Sequence, residues 1–375
     1  MKKKENRAVK AGGIWASPFM TTFIAKIVTI IIGLMIGLIL LLFTSGTEVA
    51  IPAFKTIITG SFGLVGFRTG MGRMLYYAVP ILMTGLSVGF ALRTGVFNIG
   101  APGQFLMGLY AGLFAGIHFA PALGGATWVA AIIAGALAGG VWGLIQGMLQ
   151  AYKKMNAIIC GIMMNYVALY LVNMLIRADR ALYFGGRSYT NSLPGDALLP
   201  RLGMNNIFTG SAANSGIIIG IAVCVAAYFI LKKTTLGYEL KATGLNREAA
   251  RYAGIKVERV VAVSMMISGV FAALGGVLYH NGAMGQKYTL GDALRPEGFT
   301  GIPVALLGSN HPIAIIFSAL FISYLQVGGL GMQSFGIESE IVTVITSITI
   351  FFCSFNVLFQ KLYIRLIDKL FEGRA

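Results

Sequence analysis

Nine stretches of this chain are apolar for long enough to cross a membrane as helices, near residues 24–44, 74–92, 104–120, 126–150, 156–177, 214–231, 260–280, 312–330 and 339–359. A helix needs about 20 apolar residues to traverse ~30 Å of hydrocarbon. In lipid every backbone N–H and C=O must find its partner within the protein, which leaves helices as the form such runs can take. The fold class that follows is an all-α membrane protein. Composition agrees: 57% of the 375 residues are apolar and 11% are charged, where a soluble domain carries about 25% charged residues.

The formal charge of +16 raises the question of a nucleic-acid partner, but the basic residues flank the apolar runs rather than clustering in a groove, so no nucleic acid is implied. The fifty glycines have no three-residue period and lie inside apolar runs, where they read as packing residues. Cys160, Cys224 and Cys353 lie in apolar stretches without CxxC spacing, which supports neither a disulfide framework nor a zinc site. The start is basic (Lys2, Lys3, Lys4, Arg7, Lys10), and the run from Ile27 to Phe43 exceeds a signal-peptide core and has no small-residue cleavage site after it. Residues 1–23 are expected to be a basic cytoplasmic segment and 24–375 a single transmembrane domain.

Lys and Arg are retained on the cytoplasmic side. With the amino terminus inside, the inner segments hold 20 of the 29 basic residues. Nine spans would leave the basic tail (Lys361, Arg365, Lys369, Arg374) outside, so a tenth crossing of unusual form is required. Phe299 to Gly308 is the candidate: apolar, half the length of a span, containing Pro303 and ending at Ser309-Asn310-His311-Pro312. A second interruption, Arg93 to Gln104, is polar and rich in glycine and proline. Broken helices at membrane depth mark transport sites in several folds, and one break per half hints at an inverted internal repeat.

Gly108, Gly112 and Gly116 share one helix face, as do Gly135, Gly139, Gly143 and Gly147, a spacing that lets helices approach closely. Residues 232–259 form the longest inner connection. Within it Asn246 is a helix cap and Gly254 a helix stop, and Leu245, Ala249 and Ala253 recur every four residues. That face fits a partner's groove or a membrane surface equally well.

No GxxxxGK[ST] loop, HExxH or GxSxG motif occurs, so an enzyme, or an ATPase site within this chain, is not indicated. Ionisable groups within spans are few. Neutral amides are more frequent (Asn98, Gln104, Gln146, Asn165, Asn173, Gln326), which suits either a neutral polar solute or hydrogen bonding between helices.

The stretch Gly85 to Gly100, reading Gly-Leu-Ser-Val-Gly-Phe-Ala-Leu-Arg-Thr-Gly-Val-Phe-Asn-Ile-Gly and followed by Gly103-Gln104, resembles the permease subunits of bacterial ABC importers for simple sugars, branched-chain amino acids and nucleosides, with Phe-Asn-Ile-Gly closest to the nucleoside branch. Gly237 to Ile255 resembles that family's coupling segment, which docks on the ATPase, and Gly298 to Gly308 its late half-helix. The resemblance runs from about residue 20 to the end. It implies a type II importer-like fold in the bacterial cytoplasmic membrane with both termini cytoplasmic, and a pathway drawing on Phe97, Asn98, Gln104, Asn165 and Phe299. It also implies coupling through Gly244, Asn246, Glu248, Ala249, Ala250, Arg251 and Gly254. The partners it implies are a homologous second permease forming a heterodimer, ATPase subunits that hydrolyse Mg-ATP, a substrate-binding lipoprotein, and the nucleoside itself, with no cofactor bound by this chain. One position departs: the family carries an acidic residue before the Gly-Gln pair, and here it is Pro102. A simple-sugar permease and an ATP-independent transporter or channel are the competing readings.

Overall fold

The computed structural model describes residues 18–365 except 61, 184, 284, 285, 356 and 357; the basic segment over residues 1–17 and the tail beyond 365 lie outside the described residues. Twelve helices carry the architecture: α1 (Pro18–Thr59), α2 (Phe67–Arg93), α3 (Ala101–His118), α4 (Thr127–Ala151), α5 (Ala157–Ala178), α6 (Gly216–Lys233), α7 (Thr235–Leu245), α8 (Arg247–Tyr252), α9 (Val257–His280), α10 (Gly301–Leu307), α11 (Pro312–Met332) and α12 (Ser339–Ser354). They fall into two compact units, residues up to 64 with those from 325 onward, and residues 65 to 324; the division lies within α11.

Seven helices among the described residues are long and apolar enough to cross a membrane, and the last run forms an eighth only as a bent pair, Ser339–Cys353 and Leu358–Arg365, at 53°. The expected span over 104–120 is α3. It is 18 residues long and mostly buried among other helices, and it lies outside that set because polar residues such as Gln104 and His118 dilute its apolar character. All nine expected stretches carry helices, seven of them full membrane-length helices, one the interior α3 and one bent, which is consistent with the expected all-α membrane fold of about ten helices.

In the first unit, α1 is helical for 42 residues apart from Gly46, whose φ of 70° and ψ of 168° interrupt it two residues past the expected end of the first span. α12 runs antiparallel to it. A side chain on Gly33 would come within 2.7 Å of the Thr349 Cα, and one on Gly37 within 2.6 Å of Ile345.

In the second unit the central pair is α2 and α9, antiparallel and the most buried of the membrane-length helices. Their polar contacts step along both: Thr94 to Ser264 (2.8 Å), Ser87 to Ser268 (3.0 Å) and the Tyr76 hydroxyl donating to the Tyr279 carbonyl (3.0 Å). The two glycine faces pack against α9. A Cβ on Gly108 would lie 2.3 Å from the Ala273 carbonyl, one on Gly139 2.1 Å from the Ala273 side chain, and one on Gly143 2.3 Å from the Met265 carbonyl. Small residues are required here because lipid gives apolar side chains no reason to associate, so close backbone approach supplies the attraction.

Candidate functional site

The first helix break starts where α2 ends. Thr94 and Gly95 turn the chain, with Gly95 at φ 70° and the Val96 amide donating to the Ala91 carbonyl at 3.2 Å. The loop then enters the bundle. The Asn98 side-chain amide donates to Gln104 Oε1 (2.8 Å), Ser268 Oγ (3.0 Å) and Ser87 Oγ (3.1 Å). Gln104 Nε2 in turn donates to Gln146 Oε1 at 3.0 Å. All five side chains are fully buried. The loop is also held from α5 by Asn165, whose Oδ1 accepts from the Gly103 amide (2.8 Å) while its Nδ2 donates to the Ile99 carbonyl (3.0 Å). These bonds take up main-chain groups that a broken helix leaves unpaired, which hydrocarbon alone could not do.

The second break enters from the opposite end. After α9 the chain crosses residues 281–295, makes a short 3₁₀ turn at Pro296–Gly298 and begins α10 at Gly301. Thr84 Oγ1 donates to the Glu297 carbonyl at 3.2 Å, and a Cβ on Gly301 would meet the Thr84 carbonyl carbon at 2.4 Å. Thr84 lies nine residues before the end of α2, roughly 13 Å along its axis at 1.5 Å per residue. From there α10 runs parallel to α2, with Val304 at Gly85, Ala305 near Gly89 and Asn310 at Arg93. Ser309 (φ 52°) and Asn310 (φ 56°) then turn the chain sharply, their carbonyls accepting from the Arg93 guanidinium at 3.3 and 2.8 Å. α11 returns the other way, its Ser323 hydroxyl donating to the Met74 carbonyl. The irregular crossing expected at 299–308 is thus made by a penetrating loop and a seven-residue helix.

A long helix, a break that re-enters the bundle and a further helix follow one another twice with opposite direction, in α2–α3 and in α9–α10, the second helix being 18 residues long in the first case and seven in the other. The two breaks meet: a Cβ on Gly298 would fall 2.5 Å from Pro102 Cα. Pro102, where the resembled family carries an acid, is buried in the first turn of α3 against this glycine.

Of the five residues expected along a pathway, Asn98, Gln104 and Asn165 lie in the buried network just described. Phe97 is half-buried and borders a cavity of about 540 Å³ at the Arg93 end. Phe299, before α10, is 40% exposed. Ser87 and Ser268 complete the network and went unremarked in the sequence, since a lone serine in an apolar helix has no distinguishing pattern.

Residues 232–259, the segment expected to couple to an ATPase, have the expected local form. Asn246 Oδ1 accepts from the Glu248 and Ala249 amides (3.0 and 3.1 Å), and Gly254, at φ 83°, closes α8 with its amide on the Arg251 carbonyl. Ala250 is buried against Ala91, Val96, Val257 and Met265, whereas Leu245 and Tyr252 are 88% and 94% exposed, and Ala249 is exposed too. Arg251 pairs with Glu248 at 3.0 Å and with Glu258. Two contacts tie the segment to the first break. Arg247 Nη2 donates to the Gly95 carbonyl at 3.2 Å, and Gly244 sits so close to Arg93 that a Cβ would be 2.2 Å from its carbonyl oxygen. Arg247 was not among the expected coupling residues, because a basic residue in an exposed segment gives no sign of what it reaches.

A helical membrane bundle with paired, oppositely directed broken helices meeting inside it has the architecture of a solute transport protein. The chain belongs to the family described as the branched-chain amino acid transport system / permease component, which matches residues 70–354. It is 34% identical to the nucleoside ABC transporter permease protein NupB of Lactococcus lactis subsp. cremoris (strain MG1363) over 77% of this chain and 80% of that one. It is also 34% identical to the guanosine ABC transporter permease protein NupP of Bacillus subtilis (strain 168), over 89% and 93%. The glucose ABC transporter permease protein TsgB13 of Haloferax volcanii is 31% identical over 84% of each chain. No solved structure matches significantly.

Proposed function

We infer that this chain is the membrane-spanning subunit of an ATP-binding-cassette importer that brings nucleosides across a bacterial cytoplasmic membrane. The observation that carries the substrate is the likeness to two permeases named for nucleosides and guanosine across most of the chain. The likeness to a glucose permease keeps a simple-sugar substrate as the second reading. Uptake of labelled guanosine by cells expressing the whole transporter decides between them. Competition by other nucleosides and not by ribose is the expected result, and loss of label to ribose alone reverses the choice.

In this reading a homologous second permease completes the pathway, a surface lipoprotein delivers the solute, and ATPase subunits bind and hydrolyse Mg-ATP. The basic loops hold the Arg93 end and both termini in the cytoplasm. Phe97 and Phe299 are the members of the expected set with surface to offer a nucleobase, whose flat face suits an aromatic ring. Asn98, Gln104 and Asn165 serve the pathway by holding the broken-helix wall in place. Leu245, Ala249 and Tyr252 meet the ATPase, and its movement reaches the first break through Arg247–Gly95 and Gly244–Arg93. Glu248 and Arg251 brace α8, while Asn246, Ala250 and Gly254 set its ends and seat.

A further inference from the structure

At the Arg93 end of the second unit lies a pocket of about 230 Å³ lined by Arg93, Tyr228, Lys232, Lys241 and His311, with Leu231 and Pro312 beneath. Its chemistry is one-sided. No carboxylate lines it, and among the described residues none pairs with Arg93, Lys232 or Lys241. Arg93 spends two donors on the Asn310 and Ser309 carbonyls, which fixes its guanidinium at the pocket wall. Lys232 donates to the Tyr228 hydroxyl at 2.7 Å and lies 5.1 Å from that ring's centre, leaving the hydroxyl proton free to donate inward. The His311 ring lies against Tyr228, centres 5.6 Å apart and planes tilted by 56°. Burial, with Arg93 and Lys232 nearby, holds His311 below the usual imidazole range, and Arg93, Lys232, Lys241, an imidazole and a phenol face one space.

The surroundings select the anion. The pocket sits where three membrane-length helices begin or end: α2 at Arg93, α6 at Lys233 and α11 at Pro312. Leading to it along α6 is a stripe of exposed apolar residues, Ile218, Ile221, Val225 and Phe229, three or four positions apart, and Lys232 continues the same face. A free phosphate needs the cations alone; a phospholipid needs the cations and the stripe together.

We propose that this pocket binds the phosphate of an anionic phospholipid headgroup, with an acyl chain lying along Ile221, Val225 and Phe229. The lipid joins three elements: the end of α2 that precedes the first break, α7 of the coupling segment through Lys241, and the turn after α10. The site requires only that these helix ends reach the headgroup layer, whatever solute the protein carries.

The test uses the full chain with its partner subunits, moved from detergent into nanodiscs of phosphatidylglycerol or of phosphatidylcholine, with retained lipid counted by native mass spectrometry after re-extraction. The unsubstituted protein is expected to retain phosphatidylglycerol over phosphatidylcholine by on the order of tenfold or more. The double variant Lys232→Gln/Lys241→Gln should lose that preference while keeping its melting temperature in phosphatidylcholine, and Lys287→Gln, near the opposite end, should keep the preference. Equal retention of the two lipids by the unsubstituted protein overturns the proposal without recourse to any variant. So does undiminished retention by the double variant. Displacement of phosphatidylglycerol by millimolar inorganic phosphate assigns the pocket to free phosphate and overturns the lipid.

Discussion

Asn98 contributes one amide group to hydrogen bonds with three different elements, and its removal strands partners that hydrocarbon cannot satisfy. Replacing it with leucine leaves Gln104, Ser87 and Ser268 short of a partner in a fully buried space, at a cost of about 1–3 kcal/mol for such unmade bonds. A lower melting temperature of the purified protein is the expected outcome, and an unchanged one would remove the network's structural role. Gly254 illustrates the opposite case. Nothing lies within 4 Å of a Cβ there, so its requirement for glycine comes from a φ of 83° alone. Gly254→Val therefore strains the exit of α8 by ~1 kcal/mol or more without any collision, and ATP hydrolysis by the assembled transporter should continue while uptake falls. Uptake at the original rate per ATP would show that the exit of α8 does not transmit the stroke.

At the scale of elements, the short helix α8 rests on one buried alanine, the Arg251–Glu258 ion pair to α9 and the Arg247 bond to the Gly95 carbonyl, which makes Arg247 the α8 side chain that hydrogen-bonds to the first break. Arg247→Ala keeps the cap at Asn246 and the ion pairs of Arg251, so the helix should persist. Coupling is expected to drop severalfold, read as uptake per ATP hydrolysed, with little change in melting temperature. The glycine faces of α3 and α4 act differently, since each lets two helices touch through their backbones. Gly139→Leu drives a side chain into Ala273 and the Gly269 carbonyl. Neither is the flexible end of a long side chain, so loss of folded protein, seen as aggregation on size-exclusion chromatography, is the expected result.

For the whole molecule, sidedness and power supply are the properties to measure. Cys160, Cys224 and Cys353 are buried, so a single introduced cysteine reports its own accessibility. Leu245→Cys should react with a membrane-impermeant maleimide only in inside-out vesicles, and Arg187→Cys only in right-side-out ones; the reverse pattern would invert the orientation inferred from the basic loops. Reconstituted without its companions, the chain should accumulate no nucleoside under a proton or sodium gradient. Accumulation there would establish the ATP-independent reading instead.

How far the sequence carried the account differs from feature to feature. The membrane class, the positions of most spans, the cap and stop around α8 and the existence of two breaks follow from local pattern, because lipid allows so few backbone solutions and because capping and glycine turns act over a few residues. Tertiary structure alone decided that α3 is an interior helix, that the two breaks meet at Pro102 and Gly298, that Asn98 bonds to Ser268 and Gln104 to Gln146, 170 and 42 residues away, and that Arg247 reaches Gly95. Apolar runs in lipid look alike whether they face acyl chains or other helices, and an amide in a helix does not announce which distant hydroxyl it will find. Those choices are made only when the helices pack.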